Sequence, residues 1–470
     1  MRPALHRDLV GIVGEGAVAS DADTLARYGG DALGVFRAFH AAPRLEARAQ
    51  AVAWPTTAEQ VARLLRYANI YRVPVVPYGA GTGVMGAAAP VDSAIVLNLR
   101  RMDRIIAISE VDLTARLQPG VILQDAHDSM KRSGLRLGHD PWSRPIATVG
   151  GAISTDGVGY TAAAHGSMGQ QVLGLEVALA NGELVRTRAV PKPSPGPSLD
   201  QLFIGSEGTL GVITEATIRA TRVPESRALR SYVFPEFESG FNALAAMLAE
   251  GVKPAMIDYG DELLSGGQPR SEEATLYLAF EGFPGHVQAH MAQTASICAA
   301  FGGRAGEPGD AERSWRERHS SAEVYRRDVL ESADPAGRRR HRSVYRMDYL
   351  HVALPISKVL EYRRLCMDVF QRRGILVREW SIWGRPEFFS FVIVEQDDAG
   401  EPLSLNMAET VDEVLGLAHR MGGTMEYCHG VGLKLSHMMD SELGTIAPAA
   451  RRIKTAFDPN NILNPGKLFE

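Results

Sequence analysis

The sequence predicts an α+β fold in two parts, and three observations predict it. Three glycine-rich loops, VPVVPYGAGTGVMG (73–86), TVGGAISTDGVGY (148–160) and GSEGTLGVIT (205–214), each adjoin a predicted strand. The stretch TTAEQVARLLRYANIYR (56–72) has apolar residues at helical spacing and stands before the first loop. The second half changes texture: TLYLAFEG (275–282) and YRMDYLHVALP (345–355) alternate like sheet strands, with helical stretches between them.

In chain order, residues 1–48 carry a helical opening and a polar stretch, read as an N-terminal extension. A Thr/Glu start signal opens the helix at 56–72. The first loop matches G-x-G-x-G-x-x-G through Gly79, Gly81, Gly83 and Gly86. A dinucleotide fingerprint would put a helix after it, but AAAPVDSAIVLNL reads as a turn and a strand. No Gly-Lys-Ser/Thr follows, which excludes a Walker loop. Glycine permits close approach and positive φ, and bare N–H groups form a nest for a pyrophosphate. Three such loops therefore imply backbone wrapped around one long ligand. PKPSPGPS (191–198) reads as a surface loop and a candidate interface arm. SYVFPEFESGFNALAAMLAEG (231–251) reads as strand then helix, and the arginine-rich stretch 326–346 as a mobile loop.

With 470 residues the chain is long enough for two or more domains. Its net charge of −5 gives no reason to expect a nucleic-acid partner. No apolar run of about 18 residues exists, so no membrane span is expected. MRPALHRDLVGIVG lacks the apolar core of a signal peptide. Cys298, Cys366 and Cys428 are too few and too scattered for a disulfide frame or a zinc site. A reducing, cytoplasmic setting is the expectation.

WPTTAEQVARLLRYANIYRVPVVPYGAGTG resembles the first half of the flavin domain of the vanillyl-alcohol oxidase/p-cresol methylhydroxylase superfamily. ATVGGAISTDGVGY and LFIGSEGTLGVITEATIR resemble its second half. HGVGLK…AFDPNNILNPGK (429–467) is similar to the end of the FAD-linked oxidase cap. The resemblance runs from about residue 50 to the C-terminus. It implies an FAD-binding domain over 49–223 and an antiparallel sheet-and-helix substrate cap over 224–449. Residues 450–470 would return to the first domain. Pro77, Tyr78, Gly79, Ala80, Gly81, Thr82, Gly83 and Val84 would hold the pyrophosphate. Asp140, Pro141, Ala147, Thr148, Val149, Gly150, Gly151, Ser154 and Thr155 would line the ribityl and ring, with Gly159 and His165-Gly166 following. Glu207, Gly208, Gly211 and Val212 would lie on the adenine side, and Asn464 in the closing segment. Glu207 would bind a hydroxyl or cap a turn. Thr82 stands where some relatives carry a flavin-linking histidine, so noncovalent FAD is expected.

His429, in EYCHGVG, matches the glycine-flanked histidine of the family and is the candidate base for a hydroxyl proton. Tyr427 matches a phenolate-binding tyrosine in some members. Arg318, in SWRERHSS, and Arg346, in VYRMDY, match arginines that bind a substrate carboxylate, a task suited to a planar fork. Arg338 to Arg340 read as surface ion pairs. Metal-dependent hydroxyacid dehydrogenases of the family carry His-x6-His and then Glu-His-Gly. Here Trp383, Ser390 and Cys428 occupy those three ligand positions, so no metal is expected. Trp380, Trp383, Phe388 and Phe389 make that strand aromatic, as pocket lining or as core. Trp383 is the one assigned to substrate. Cys428 reads as a core-filling residue rather than a reactive thiol.

The leading functional expectation is removal of hydride from an alcohol C–H, with a 2-hydroxy acid as substrate. Oxygen, a quinone or an electron-transfer protein would take the electrons, and a homodimer is expected. Two alternatives stand beside it: oxidation of a phenolic or benzylic alcohol, favoured by Tyr427 and the aromatic strand, and a non-redox flavin transferase resembling alkyl-dihydroxyacetone-phosphate synthase. A flavin-binding subunit that only scaffolds an electron-transfer complex is a further class, which His429 argues against.

Overall fold

A computed structural model describes residues 3–34, 37, 40, 44–45, 47–265, 268–269, 272–332, 334, 346–395 and 405–469. The N-terminal segment is built into the first domain. Helix α1 (Pro3–Val13) packs on α2 (Ala58–Tyr71), and β1 (Val18–Ala19) pairs antiparallel with β2 (Ala51–Ala53). Thr57 caps α2 by accepting the Gln60 N–H. Strands β2, β3 (Val75–Tyr78) and β4 (Ile95–Asn98) form a parallel core in the order β1-β2-β4-β3. All three residues of β2 and all four of β4 are buried, as expected of strands covered on both faces.

A second sheet joins β5 (Ile105–Ser109), β6 (Thr114–Leu117), β7 (Leu135–Leu137), β8 (Val172–Ala178), β9 (Leu184–Arg186) and β10 (Val212–Arg222). Strand β10 is its spine, pairing with β6, β7 and β8. Helix α3 (Leu123–Lys131) covers it. The second glycine-rich stretch is not a loop at its start. Residues Val149–Ser154 form a helix, α4, and Thr148 caps it by accepting the Gly151 N–H. Residues 190–199 are exposed, in keeping with the proline-rich surface loop.

The cap begins at β11 (Ser226–Phe234), followed by α5 (Phe237–Ala249), β12 (Met256–Glu262), β13 (Ala274–Gly282), α6 (Pro284–Ala300), β14 (Arg304–Ala305), α7 (Asp310–Glu317), β15 (Arg346–Ala353), α8 (Ile356–Arg373), β16 (Leu376–Trp383), β17 (Phe388–Glu395) and α9 (Leu405–Arg420). Seven of its strands form one antiparallel sheet in the order β14-β11-β13-β12-β16-β17-β15. Alternation sets its two faces. Leu350, Val352, Trp380, Ile382, Phe389 and Phe391 point into a core with the helices. Tyr349, His351, Trp383, Phe388 and Ser390 take the other face, toward the first domain. Within 326–346, residues 326–330 form a helical turn, whereas Arg338 to Arg340 lie outside the described residues.

After α10 (Ala447–Phe457) the chain runs back along the first domain. Leu463 bridges to Val75, and Lys454 donates to the carbonyls of Thr209 and Leu463 at 2.9 Å each.

Candidate functional site

A long groove runs between the first domain's loops and the cap face. Every residue from Pro77 to Val84 lines it. Among the described residues, no acceptor takes the backbone N–H groups of Ala80 to Val84. A Cβ at Gly79 would strike the Thr148 hydroxyl oxygen, so the loop and the α4 cap meet only because residue 79 has no side chain. Leu99, Pro119, Leu123, Val212 and Ile213 make the far end apolar. An unsatisfied row of N–H groups next to an apolar slot fits a pyrophosphate joined to a flat aromatic group, so these residues suit FAD.

Of the sequence-predicted cofactor residues, Pro141, Ala147, Thr148, Gly150, Gly151, Ser154, Thr155, Gly159, Glu207, Gly208, Gly211 and Val212 line the groove. Asp140, Val149, Gly166 and Asn464 do not. Asp140 is turned away to Arg144, Arg318 and His319. Val149 is packed in the second sheet's core. Gly166 ends a short helical turn. Asn464 is a brace: its amide donates to the carbonyls of Ala87 and Glu207 at 2.9 and 2.8 Å. Asp31, in the N-terminal segment, also lines the groove and accepts the N–H groups of Leu33 and Ala88. No sequence signal marked it.

Glu207 takes the turn-capping role. Its buried carboxylate accepts the N–H groups of Val431 and Gly432 at 2.6–3.0 Å and so fixes the loop that follows His429. Gly432 has φ +53°, and a Cβ there would overlap the Met85 carbonyl. The loop is thus pinned from both sides.

His429 lines the groove beside Cys428, Tyr160 and Trp383. Its ring meets His351 edge-on, with centroids 4.4 Å apart. Burial, with Arg37 and Lys434 behind it, lowers the His429 pKa to about 3. Burial, the His429 ring and the same two cations hold His351 well below its ordinary value. Both imidazoles are therefore neutral at physiological pH, and the Nδ1 of each is buried without a hydrogen bond, that of His429 lying 3.9 Å from Glu426. Arg37 donates to Asp348 Oδ1 (2.8 Å) and to the Val84 carbonyl (2.7 Å), and Lys434 Nζ lies 2.8 Å from Asp348 Oδ2. One buried carboxylate thus joins the N-terminal segment, the cap edge and the His429 loop.

Glu426 accepts the N–H groups of Cys428 and His429, and burial raises its pKa to about 7. His351, Glu426 and His429 offer three donor atoms within 4.8 Å of one another, the one metal-sized group at the groove among the described residues. Arg37 and Lys434 act on both imidazoles and oppose a further cation there.

Tyr427 lies behind the groove. Its hydroxyl is 2.7 Å from Ser390 Oγ and its ring stacks on Phe388. Burial holds the phenol protonated, and its hydroxyl is engaged with Ser390 rather than turned to the groove. Cys428 donates to the Val158 carbonyl, and burial pushes its thiol up, leaving it inert. Trp383 is in the groove wall, stacked on Tyr160, and its Nε1–H is buried without an acceptor. Trp380 and Phe389 are core.

The two candidate carboxylate arginines are not brought to the groove. Arg318 Nε donates to Asp140 (2.9 Å), its guanidinium lies over Trp315, and it lines a separate cavity. Arg346 shares the helix-packed face of Leu350 and Val352, opposite to His351. His351 is the residue that sequence reasoning missed. It is a lone histidine on an alternating strand, and its odd spacing from Arg346 already put the two on opposite faces.

Burial raises Asp31 to about 6 and Glu207 and Glu426 to about 7. A carboxyl whose folded pKa exceeds its unfolded one favours the fold most below the unfolded value and loses that contribution as pH rises through the folded value. Asp140 works the other way. Burial raises it, but His319, Arg144 and Arg318 outweigh this and hold it well below the carboxylate range. Its contribution fades only under about pH 4. His351 and His429 oppose the raised carboxyls: held neutral in the fold, they are protonated in the unfolded chain below about pH 6.5 and so weaken the fold as pH falls. The melting temperature of the flavin-loaded protein is expected to fall below about pH 4, where the carboxyl contribution is complete while Asp140 and the histidines lose theirs. A melting series across pH checks this; a melting temperature still rising below about pH 4 would contradict it.

Comparison with known proteins agrees with this architecture. The family described as FAD binding domain matches residues 49–188, and FAD linked oxidases, C-terminal domain, matches residues 223–468. Glycolate oxidase subunit GlcD of Bacillus subtilis is 28% identical over 441 residues, 92% of this chain and 91% of that one. A D-lactate dehydrogenase of Archaeoglobus fulgidus is 31% identical over 433 residues, 88% of this chain and 90% of that one. Among solved structures, p-cresol methylhydroxylase with substrate bound superposes at a TM-score of 0.76 and 20% identity, covering 99% of this chain and 96% of that one. An alkyldihydroxyacetonephosphate synthase gives 0.75 and 19%, covering 99% and 85%. At such identities these two structures show the fold alone. With the cofactor groove in one matched domain and His429 and Trp383 presented to it by the other, the chain belongs to the FAD-linked oxidases and is an FAD-dependent oxidoreductase.

Proposed function

We propose that the protein oxidises the hydroxyl-bearing carbon of a 2-hydroxy acid, with His429 as the base. The observation that carries this is a neutral imidazole and an unpaired indole N–H in one groove wall. Bound FAD supplies the acceptor for the hydride. His429 takes the hydroxyl proton. Alone it is a weak base, but a carboxylate brought beside it favours the imidazolium and raises its proton affinity. The Trp383 indole N–H gives that carboxylate a directed donor, and Arg37 and Lys434 supply a positive field behind the histidines. Val158 and Cys428 close the wall and exclude water. Glu207 and Glu426 act as positioning residues through the backbone around His429. Tyr427 supports the wall through Ser390.

The names of the curated relatives, a glycolate oxidase subunit and D-lactate dehydrogenases, support the same substrate class. FAD is held noncovalently, since Thr82 offers no linkage, and no metal takes part. Oxygen, a quinone or an electron-transfer protein reoxidises the flavin. The enzyme works in the cytoplasm as a homodimer. Among the described residues no helix is long and apolar enough to cross a membrane.

Trp383→Phe is expected to raise KM for the hydroxy acid about tenfold, the cost of one hydrogen bond to a charged group, with kcat within about threefold. Steady-state kinetics of the flavin-loaded variant check this. An unchanged KM would remove Trp383 from the substrate site.

A further inference from the structure

A cavity of about 330 Å³ lies between the two domains, beside the flavin groove. The first domain contributes Lys131 at the end of α3, Arg136 on β7 and Arg144; the cap contributes Arg227 on β11 and Arg318 just after α7. Two carboxylates pair directly with four of these five cations, and the exposed Asp128 acts on Arg144 from farther off. Glu281 pairs with Arg136 and Arg227 at 2.6 Å each, and Asp140 pairs with Arg144 and Arg318 at 2.8 and 2.9 Å. His319 draws further on Asp140. More cations than carboxylates therefore face one concave space, with Lys131 and Arg227 its exposed members.

Pinning the two domains together does not account for that surplus. The Arg136–Glu281 and Arg318–Asp140 pairs both cross the domain boundary and need only equal numbers of charges. Additional like charges around one concave space repel one another. Donors are also left over. Arg136 Nε and His127 Nδ1 are buried without hydrogen-bond partners, and the exposed Lys131 has no acceptor among the described residues. Trp315 holds the planes of Arg227 and Arg318 at 4.6 and 4.0 Å from its ring centre, which orders two of the forks.

We propose that this cavity is an anion site, separate from the reacting site, that takes a small multiply charged oxyanion, a phosphate or a polycarboxylate. The guanidinium forks match such groups, and the volume admits a small ligand. It shares a wall with the flavin groove: Asp140 and Thr161 line the cavity, while their neighbours Pro141 and Tyr160 line the groove. The Tyr160 hydroxyl donates to the Arg318 carbonyl at 3.0 Å, so a ligand on Arg318 sits next to a groove residue.

The test titrates the flavin-loaded protein with inorganic phosphate and, in parallel, with citrate, at constant ionic strength set by chloride. Calorimetry and melting temperature are both read. Saturable binding with a rising melting temperature is expected, and the tighter of the two probes identifies the class. Lys131→Gln/Arg227→Gln is expected to weaken binding roughly tenfold, with flavin reduction in the absence of the anion as in the wild type. Lys131→Gln alone, which breaks no ion pair, is expected to weaken it about threefold and decides the matter if the double variant does not fold. A non-saturating gain shared equally by wild type and variants is a general salt effect and overturns the proposal. Competition with the hydroxy acid that neither variant alters places the anion in the substrate pocket and overturns it as well.

Discussion

Replacing His429 by alanine is expected to slow flavin reduction by substrate about a thousandfold while FAD content stays at the wild-type level. The two effects separate because of where the side chain stands. The loop after residue 429 is held through backbone N–H groups that donate to Glu207, and Glu426 accepts the backbone N–H of residue 429 itself. None of those bonds uses the imidazole. Its Nδ1 makes no hydrogen bond, the Glu426 carboxylate lying 3.9 Å away, so removing the ring breaks none. Stopped-flow reduction under anaerobic conditions gives the rate, and the flavin-to-protein absorbance ratio gives the content. A loss smaller than about tenfold would remove His429 from the role of base.

Replacing Asp348 by alanine is expected to be the most destabilising single change near the site, costing about 3–5 kcal/mol. Asp348 is fully buried, and Arg37 and Lys434, both buried too, depend on it. Its removal leaves two cations without their shared counterion in a low-dielectric setting. The three groups belong to the N-terminal segment, the cap edge and the His429 loop, so the loss also loosens the groove. Denaturant unfolding followed by flavin fluorescence checks this. A cost below about 1 kcal/mol would show that solvent reaches the cluster.

How much of this was legible in the sequence follows from physical locality. The loop at 77–84 and the helix before it could be read because glycine spacing and helical periodicity are local signals. The stretch at 148–154 misled because Gly150 and Gly151 are poor helix formers. A Cβ at Gly150 would strike Pro119, so the glycine answers a tertiary contact that sequence does not show. His429 was legible through its flanking glycines. His351 was not, because only the folded sheet sets it against His429. Asp31 and Arg37 were missed for a similar reason: an aperiodic N-terminal stretch gives no sign that it supplies a groove carboxylate and a buried guanidinium. Matching neighbours by motif placed Arg318 and Arg346 near substrate. Strand parity turns Arg346 to the far face, and Asp140 with Trp315 holds Arg318 in the adjoining cavity.

The central claim is that a 2-hydroxy acid gives hydride to the flavin beside His429. Anaerobic bleaching of the purified flavoprotein by D-lactate, glycolate and D-2-hydroxyglutarate, set against vanillyl alcohol and a 4-alkylphenol, tests it most directly. Loss of flavin absorbance with at least one hydroxy acid, abolished in His429→Ala, is the predicted result. Bleaching by the phenols alone, or bleaching by a hydroxy acid that survives in His429→Ala, would contradict it.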